Sequence, residues 1–173
     1  MTASTNPMKT HSNPDKTSST PEAQLRSFSA RLSVKQQRLV SSVRSALRRR
    51  FPTCNEIAYD YSSFFVIGYS PTDRGIDSIV SIAARADRVE LYFNHGPELP
   101  DPKKLLKGSG KLTRFIQLDS ARQLANTDVK RFIAGSVELS SIPLPSKGKG
   151  TLIIKTNKSG ASKKKKSRRA SPK

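Results

Sequence analysis

Cysteine, histidine and long apolar runs are scarce in this chain. Cys54 is the only cysteine among 173 residues, so an intramolecular disulfide is excluded. No stretch approaches the roughly 18 apolar residues that a membrane-spanning helix needs. The first residues also lack the apolar segment of a secretory signal. We therefore expect a cytoplasmic protein that has no membrane partner.

Signatures of common catalytic and metal sites are also missing. His11 and His95 are the only histidines, no Cys-x-x-Cys or His-x-x-x-His pair occurs, and there is no Gly-x-Ser-x-Gly motif. The run Gly108-Ser-Gly-Lys111 is not a P-loop, because its upstream glycine is absent and Leu112 stands where Ser or Thr is required. A hydrolase would need Cys54 and His95 to meet in the fold. The sequence therefore predicts a non-enzymatic protein without a cofactor, and it assigns no metal ligands.

Positive charge is concentrated at the C-terminus. The net charge is +19, and residues 145–173 contain eleven Lys or Arg and no acidic residue. Residues 30–144 carry 18 basic and 11 acidic residues. Segments 1–29 and 157–173 have few large apolar side chains, so we expect both to be disordered, with a folded domain over residues 30–156.

The end of the chain predicts binding to nucleic acid. A dense cationic run neutralises phosphates and releases counterions, which gives non-specific binding with a steep salt dependence. The run consists of Lys163, Lys164, Lys165, Lys166, Arg168 and Arg169. No aromatic residue is interleaved with these cations, so the run offers no stacking platform for single strands. A tail that serves only solubility is the alternative.

Hydrophobic periodicity predicts an α+β fold. A capping box at Ser33 opens a first helix that Pro52 ends near Arg50, and Arg44 and Arg48 fall opposite its apolar stripe, on a face expected to be solvated. Strands are predicted at 56–61, 64–69, 78–83, 88–93 and 112–118, with a further edge strand at 151–155. A last helix is predicted from Thr127. This order favours a mainly antiparallel sheet of five to six strands, with an N-terminal helix and a C-terminal helix packed on it.

The loops between these elements predict a short helix and a ligand pocket. Asp101 suits an N-cap, Pro102 a first helical position and Gly108 a left-handed end. The glycine-rich turn that follows could bind an anion through its backbone N–H groups. The predicted pocket comprises Tyr59, Tyr69, Arg74, His95, Lys111 and Arg114. Ordinary polarity at strand ends is the alternative explanation of these residues.

The stretch from Tyr92 to Leu118 resembles the YdhG-like domain, a bacterial family of unknown function. The resemblance is carried by Gly96-Pro-Glu-Leu-Pro-Asp-Pro102 and by Leu105-Leu-Lys-Gly-Ser-Gly-Lys111. It implies a small α+β domain with an antiparallel sheet and no established enzyme activity. Some family members are described as frataxin-like iron chaperones, so the alternative function is binding of iron or a small anionic ligand. Iron prefers oxygen ligands, and no acidic residue lies between Arg31 and Phe51, so no ligand residues are carried over.

Overall fold

The computed structural model describes residues 20–156. Over this range the chain forms three α-helices and six strands, with short 3-10 turns at Gly75–Asp77, Gly96–Glu98 and Ala121–Ala125. In chain order the elements are α1 (Pro21–Ser29), α2 (Val34–Arg50), β1 (Asn55–Tyr61), β2 (Phe64–Ser70), β3 (Val80–Arg85), β4 (Val89–Asn94), β5 (Thr113–Leu118), α3 (Thr127–Glu138) and β6 (Leu152–Thr156). None of these helices is long and apolar enough to span a bilayer.

The six strands form one sheet in the order β5-β4-β3-β2-β1-β6. Strands β1 to β5 pair antiparallel with their neighbours, whereas β6 pairs parallel with β1. The predicted α+β class is therefore confirmed, but the sheet is mixed. The chain reaches β6 at the start of β1, where the Gly150 N–H donates to the Pro52 carbonyl at 2.9 Å. Entry at that end obliges β6 to run in the same direction as β1.

Helix α1 lies in the segment that was expected to be disordered. The Thr20 hydroxyl caps it by accepting a hydrogen bond from the Ala23 N–H at 3.2 Å, and Leu25 is buried. Composition misled the prediction here, because one leucine and one phenylalanine dock this short helix on the domain. The predicted N-terminal helix is therefore the second helix of the chain. The disorder expected for residues 1–19 and 157–173 concerns segments outside the described range.

Helix α2 begins and ends where its sequence signals predict. The Ser33 hydroxyl accepts a hydrogen bond from the Gln36 N–H at 3.3 Å, and the helix ends at Arg50. Val40, Val43 and Leu47 are buried. Helix α3 likewise covers the predicted segment from Thr127.

No helix forms between Asp101 and Gly108. The Asp101 carboxylate accepts hydrogen bonds from the N–H groups of Leu105 at 3.0 Å and Leu106 at 2.7 Å. The next residue, Lys107, forms an isolated antiparallel bridge with β5. Extended pairing at Lys107 is incompatible with a continuing helix, so the prediction of a short capped helix is wrong. Gly108 does adopt a positive φ of 98°.

All three helices cover the same face of the sheet. Phe28 of α1 packs on Phe65, and Phe132 of α3 packs on Phe93. The Tyr69 hydroxyl oxygen lies 3.3 Å from the backbone carbonyl oxygen of Arg44 in α2. Strand register places Phe65, Tyr69 and Phe93 on one face, because side chains alternate along each strand. The opposite face, called the open face below, carries no helix of the described segment.

Candidate functional site

The open face carries five aromatic side chains. Alternation along β1, β2, β4 and β5 directs them away from the helices, and none of them is fully buried. They are Tyr59, Tyr61, Phe64, Tyr92 and Phe115. The solvated face of an antiparallel sheet is usually polar. This concentration of aromatic rings therefore makes the open face the candidate functional site.

One group of rings lies at the end of the sheet where β1 finishes and β2 begins. The rings of Tyr61 and Phe64 stack with centroids 4.6 Å apart and planes 7° apart. The guanidinium carbon of Arg85 lies 4.1 Å from the Phe64 centroid. These residues are cross-strand neighbours in one row, with Phe64 in the middle. Phe64 is therefore held between a tyrosine and a cation, while Tyr61 remains 38% exposed.

A second group of rings lies on β4 and β5. The rings of Tyr92 and Phe115 stack with centroids 5.0 Å apart and planes 30° apart. Tyr92 has two cross-strand neighbours, Phe115 on β5 and Ser81 on β3. Because serine is small, the side of the Tyr92 ring that faces β3 is left without an aromatic neighbour within the described residues.

A groove of about 290 Å³ separates the two groups of rings. Its middle consists of small side chains on β2 and β3, and larger side chains border it on both sides. The lining residues are Phe64, Val66, Ser81, Ala83, Arg85, Tyr92, Asn94 and Thr113. The groove thus combines an apolar surface with a few hydroxyl and amide groups, which is the usual chemistry of a ligand-binding cleft.

A buried carboxylate positions the side chains beside this groove. Glu90 is 2% exposed and accepts hydrogen bonds from Arg85 at 3.3 Å, Arg88 at 2.8 Å and the Tyr92 hydroxyl at 3.2 Å. Partial burial, together with the nearby Glu90 charge, raises the pKa of Tyr92. The phenol therefore stays neutral at physiological pH, and Glu90 fixes both Arg85 and Tyr92 in place.

Two of the six predicted pocket residues lie near the open face, where Tyr59 contacts the glycine that follows Arg74. The Tyr59 ring lies against Gly75, where a Cβ atom would stand 2.4 Å from its hydroxyl oxygen. Arg74 precedes that glycine, and its side chain is 70% exposed and 3.8 Å from Asp77. The absence of a side chain at Gly75 allows this approach. Tyr69, in contrast, is buried on the helix side, where its hydroxyl donates to Glu56 at 3.0 Å.

The remaining three predicted residues lie around the β4–β5 connection. His95 has a φ of 55°, and its Nδ1 lies 3.1 Å from a carboxylate oxygen of Glu98. The Arg114 guanidinium donates to the carbonyls of Gly110 and Thr113, so it closes its own turn. Lys111 is exposed. The structure thus places Tyr69 in the core and divides the other five residues between two regions, one at Tyr59 and the β2–β3 connection and one at the β4–β5 connection.

The described residues show no grouping typical of a metal or nucleophile site. Over residues 20–156, no three His, Cys, Asp or Glu side chains are placed to hold a metal ion. Cys54 is buried just before β1, whereas His95 follows β4. The three strand spacings between β1 and β4 amount to roughly 14 Å. That separation does not support the Cys54–His95 pair that a hydrolase would require.

Comparison with known proteins adds no relative. No protein-family model matches the chain, and no significant match was found among curated proteins or solved structures. The resemblance to the YdhG-like domain therefore stays a prediction. The open face itself was missed at the sequence level, although the alternation of Tyr59 and Tyr61 along β1 was a signal for it.

Proposed function

We propose that this protein binds nucleic acid and catalyses no reaction, with the C-terminal cations acting beside the open face. The observation that carries this proposal is the register of β6. Thr156, its last residue, is paired with Asp60, next to the exposed Tyr61. The described chain therefore ends at the aromatic end of the sheet, and residues 157–173, which contain eight Lys or Arg and no acidic residue, follow it in the sequence.

In the folded domain, acidic residues that are already paired with arginines leave other cations uncompensated. Glu22, Glu56 and Glu90 all bind arginines. Lys35, Arg38 and Arg122 border a shallow cavity of about 380 Å³, and none of the three has an ion-pair partner within the described residues. Asp119 is the one acidic side chain among the described residues that line this cavity. The uncompensated charge of the domain is thus cationic, as phosphate binding requires.

Counterion release gives the binding its expected strength and salt dependence. Each neutralised phosphate lowers the slope of log K against log salt by about 0.9 on duplex DNA. If the six clustered cations of the tail each engage one phosphate, the slope is about −5. Such binding is sequence-independent, because phosphates carry no base information.

Deletion of residues 157–173 tests the proposal. The full chain should bind a labelled DNA duplex at low salt, and the deletion variant should lose most of that affinity and of the salt slope. A variant that keeps the composition of the tail in scrambled order is the matched control and should bind like the natural chain. Equal binding by the deletion variant and the full chain would contradict the role of the tail.

A further inference from the structure

We propose that the open face binds the bases of a single-stranded nucleic acid by stacking, so that the protein prefers single strands to duplexes. This inference rests on the proposed function, because the tail supplies the phosphate contacts. The tail alone has no aromatic residue and cannot distinguish the two forms by stacking. The folded domain provides the rings that the tail lacks.

The geometry of the groove fits a flat, unpaired base. Phe64 and Arg85 border it on one side, and Tyr92 borders it on the other. The cross-strand neighbours of Tyr92 are Phe115 on β5 and the small Ser81 on β3, and Arg85 reaches only the hydroxyl end of Tyr92, where both bind Glu90. An aromatic base in the groove would therefore cover a ring surface that no other aromatic side chain of the described range covers. Exposed aromatic rings on β-sheets bind RNA and DNA bases in this way.

Polar groups at the edge of the groove can bind the edge of a base. The hydroxyls of Ser81 and Thr113 line the groove, and neither makes a hydrogen bond within residues 20–156. A hydroxyl both donates and accepts, so it accommodates any of the four bases. These contacts predict a base-tolerant site, in agreement with the non-specific binding expected from the tail.

The positive charge around the open face suits a single-stranded nucleic acid that runs along it. Lys155 of β6 is the cross-strand partner of Tyr59, so a cation with no ion-pair partner among residues 20–156 stands at the edge of the open face. Strand β6 ends at Thr156, which pairs with the neighbour of Tyr61, and the tail follows Thr156 in the sequence. A single-stranded nucleic acid could stack one base on Tyr92 and another on the exposed ring of Tyr61. Its phosphates would then pass Lys155 on the way to the tail.

A duplex cannot stack on this surface, because the faces of its bases are covered by neighbouring bases inside the helix. The inference therefore predicts that bases contribute to affinity only in single strands. Stacking of one base changes affinity by roughly 5- to 150-fold, since alanine substitution at such sites costs about 1–3 kcal/mol.

The test uses the full chain and three labelled probes of equal length: oligothymidylate, an abasic strand and a duplex. We expect oligothymidylate to bind at least about fivefold more tightly than the abasic strand, which has the same charge but no bases. Equal affinity for these two strands would overturn the stacking inference, while tail-dependent binding of the duplex would leave the proposed function intact. Failure to bind any probe would overturn both.

Substitutions locate the effect on the open face. Tyr92→Leu and Tyr61→Leu retain apolar bulk but remove the ring, so each should reduce the preference for oligothymidylate over the abasic strand. Phe28→Leu removes a half-buried ring on the helix side and is the matched control. Because Tyr61 is exposed at a strand end, its variant should fold even if Tyr92→Leu does not. A preference that survives in folded Tyr61→Leu and Tyr92→Leu proteins would overturn the assignment to this face.

Discussion

Arg44 binds Glu56 through two guanidinium nitrogens, with Nε at 2.9 Å and Nη2 at 2.6 Å from the carboxylate oxygens. Glu56 is 2% exposed, and it also accepts hydrogen bonds from Arg48 at 2.6 Å and from Tyr69 at 3.0 Å. Arg44 reaches in addition to Glu22 of α1 at 2.7 Å. The cluster thus joins α1, α2 and the sheet through one buried carboxylate.

Replacing Glu56 by glutamine should destabilise the protein strongly. The substitution preserves shape but leaves two guanidinium groups facing a neutral amide in a largely buried position. Removing one partner of a buried ion pair lowers the free energy of unfolding by about 3 kcal/mol or more. Urea denaturation followed by circular dichroism measures this cost. Glu98→Gln, at a side chain that is 61% exposed, is the control and should change stability little. A Glu56→Gln protein as stable as that control would contradict a structural role for the cluster.

Attachment of α1 should weaken in acid. The hydrogen bond from Arg44 lowers the pKa of Glu22 below its ordinary value. A carboxyl group whose pKa is lowered by folding stabilises the folded state above its unfolded pKa, and this stabilisation is lost as the pH falls through the lower, folded pKa. We therefore expect hydrogen-exchange protection of the α1 amides to decrease from about pH 5 downward. In Glu22→Gln this pH dependence should be smaller, and an identical pH profile in both proteins would rule out the proposed linkage.

The prediction that Arg44 and Arg48 face solvent is wrong, for a reason that the helix sequence could not reveal. Both residues lie away from the stripe formed by Val40, Val43 and Leu47, which is where exposed cations belong on an amphipathic helix. Their partner Glu56 lies on β1, and its inward orientation depends on which face of that strand the helices cover. Alternation favours the opposite orientation, because Ile57, Tyr59 and Tyr61 share the other face of β1.

The groove depends even more on long-range register. Periodicity within each segment located the strands to within two residues, because alternation is a local property. Phe64 and Tyr92 are 28 positions apart, however, and they border one groove only because β3 lies between their strands. The parallel direction of β6 depends in the same way on where residues 139–151 bring the chain back to the sheet. Such pairings of distant residues have no local sequence signature.

The thiol of Cys54 should react only when the protein unfolds. Burial raises its pKa to about 11, and the side chain is 3% exposed. At pH 8 on the order of one thiol in a thousand is then ionised, and the thiolate is the reactive form. An aromatic disulfide reagent should therefore label the native protein very slowly and the denatured chain rapidly, as absorbance of the released thiolate will show. Fast native labelling would mean that the strand–helix junction at Cys54 opens readily.

Gly150→Ala should detach β6 from the sheet. A Cβ at this position would lie 1.6 Å from the Cys54 carbonyl oxygen, so the backbone that leads into β6 would have to move. Gly148 is the matched control. It has a φ of 98°, but no atom of the described residues lies within 4 Å of the point where an added Cβ would stand. Gly148→Ala should therefore cost only about 1 kcal/mol of backbone strain. We expect Gly150→Ala to lose hydrogen-exchange protection at Ile153 and Ile154 and to be clearly less stable than Gly148→Ala.

The same substitution separates the two parts of the proposed binding mode. In Gly150→Ala the tail is intact, so tail-dependent affinity for duplex DNA should persist at a temperature where the domain remains folded. Thr156 would no longer be paired beside Tyr61, so the preference for oligothymidylate over an abasic strand should decrease. Gly148→Ala should keep both properties. If β6 detaches and the preference is nevertheless unchanged, the register of β6 does not couple the tail to the open face, and the two bind nucleic acid independently.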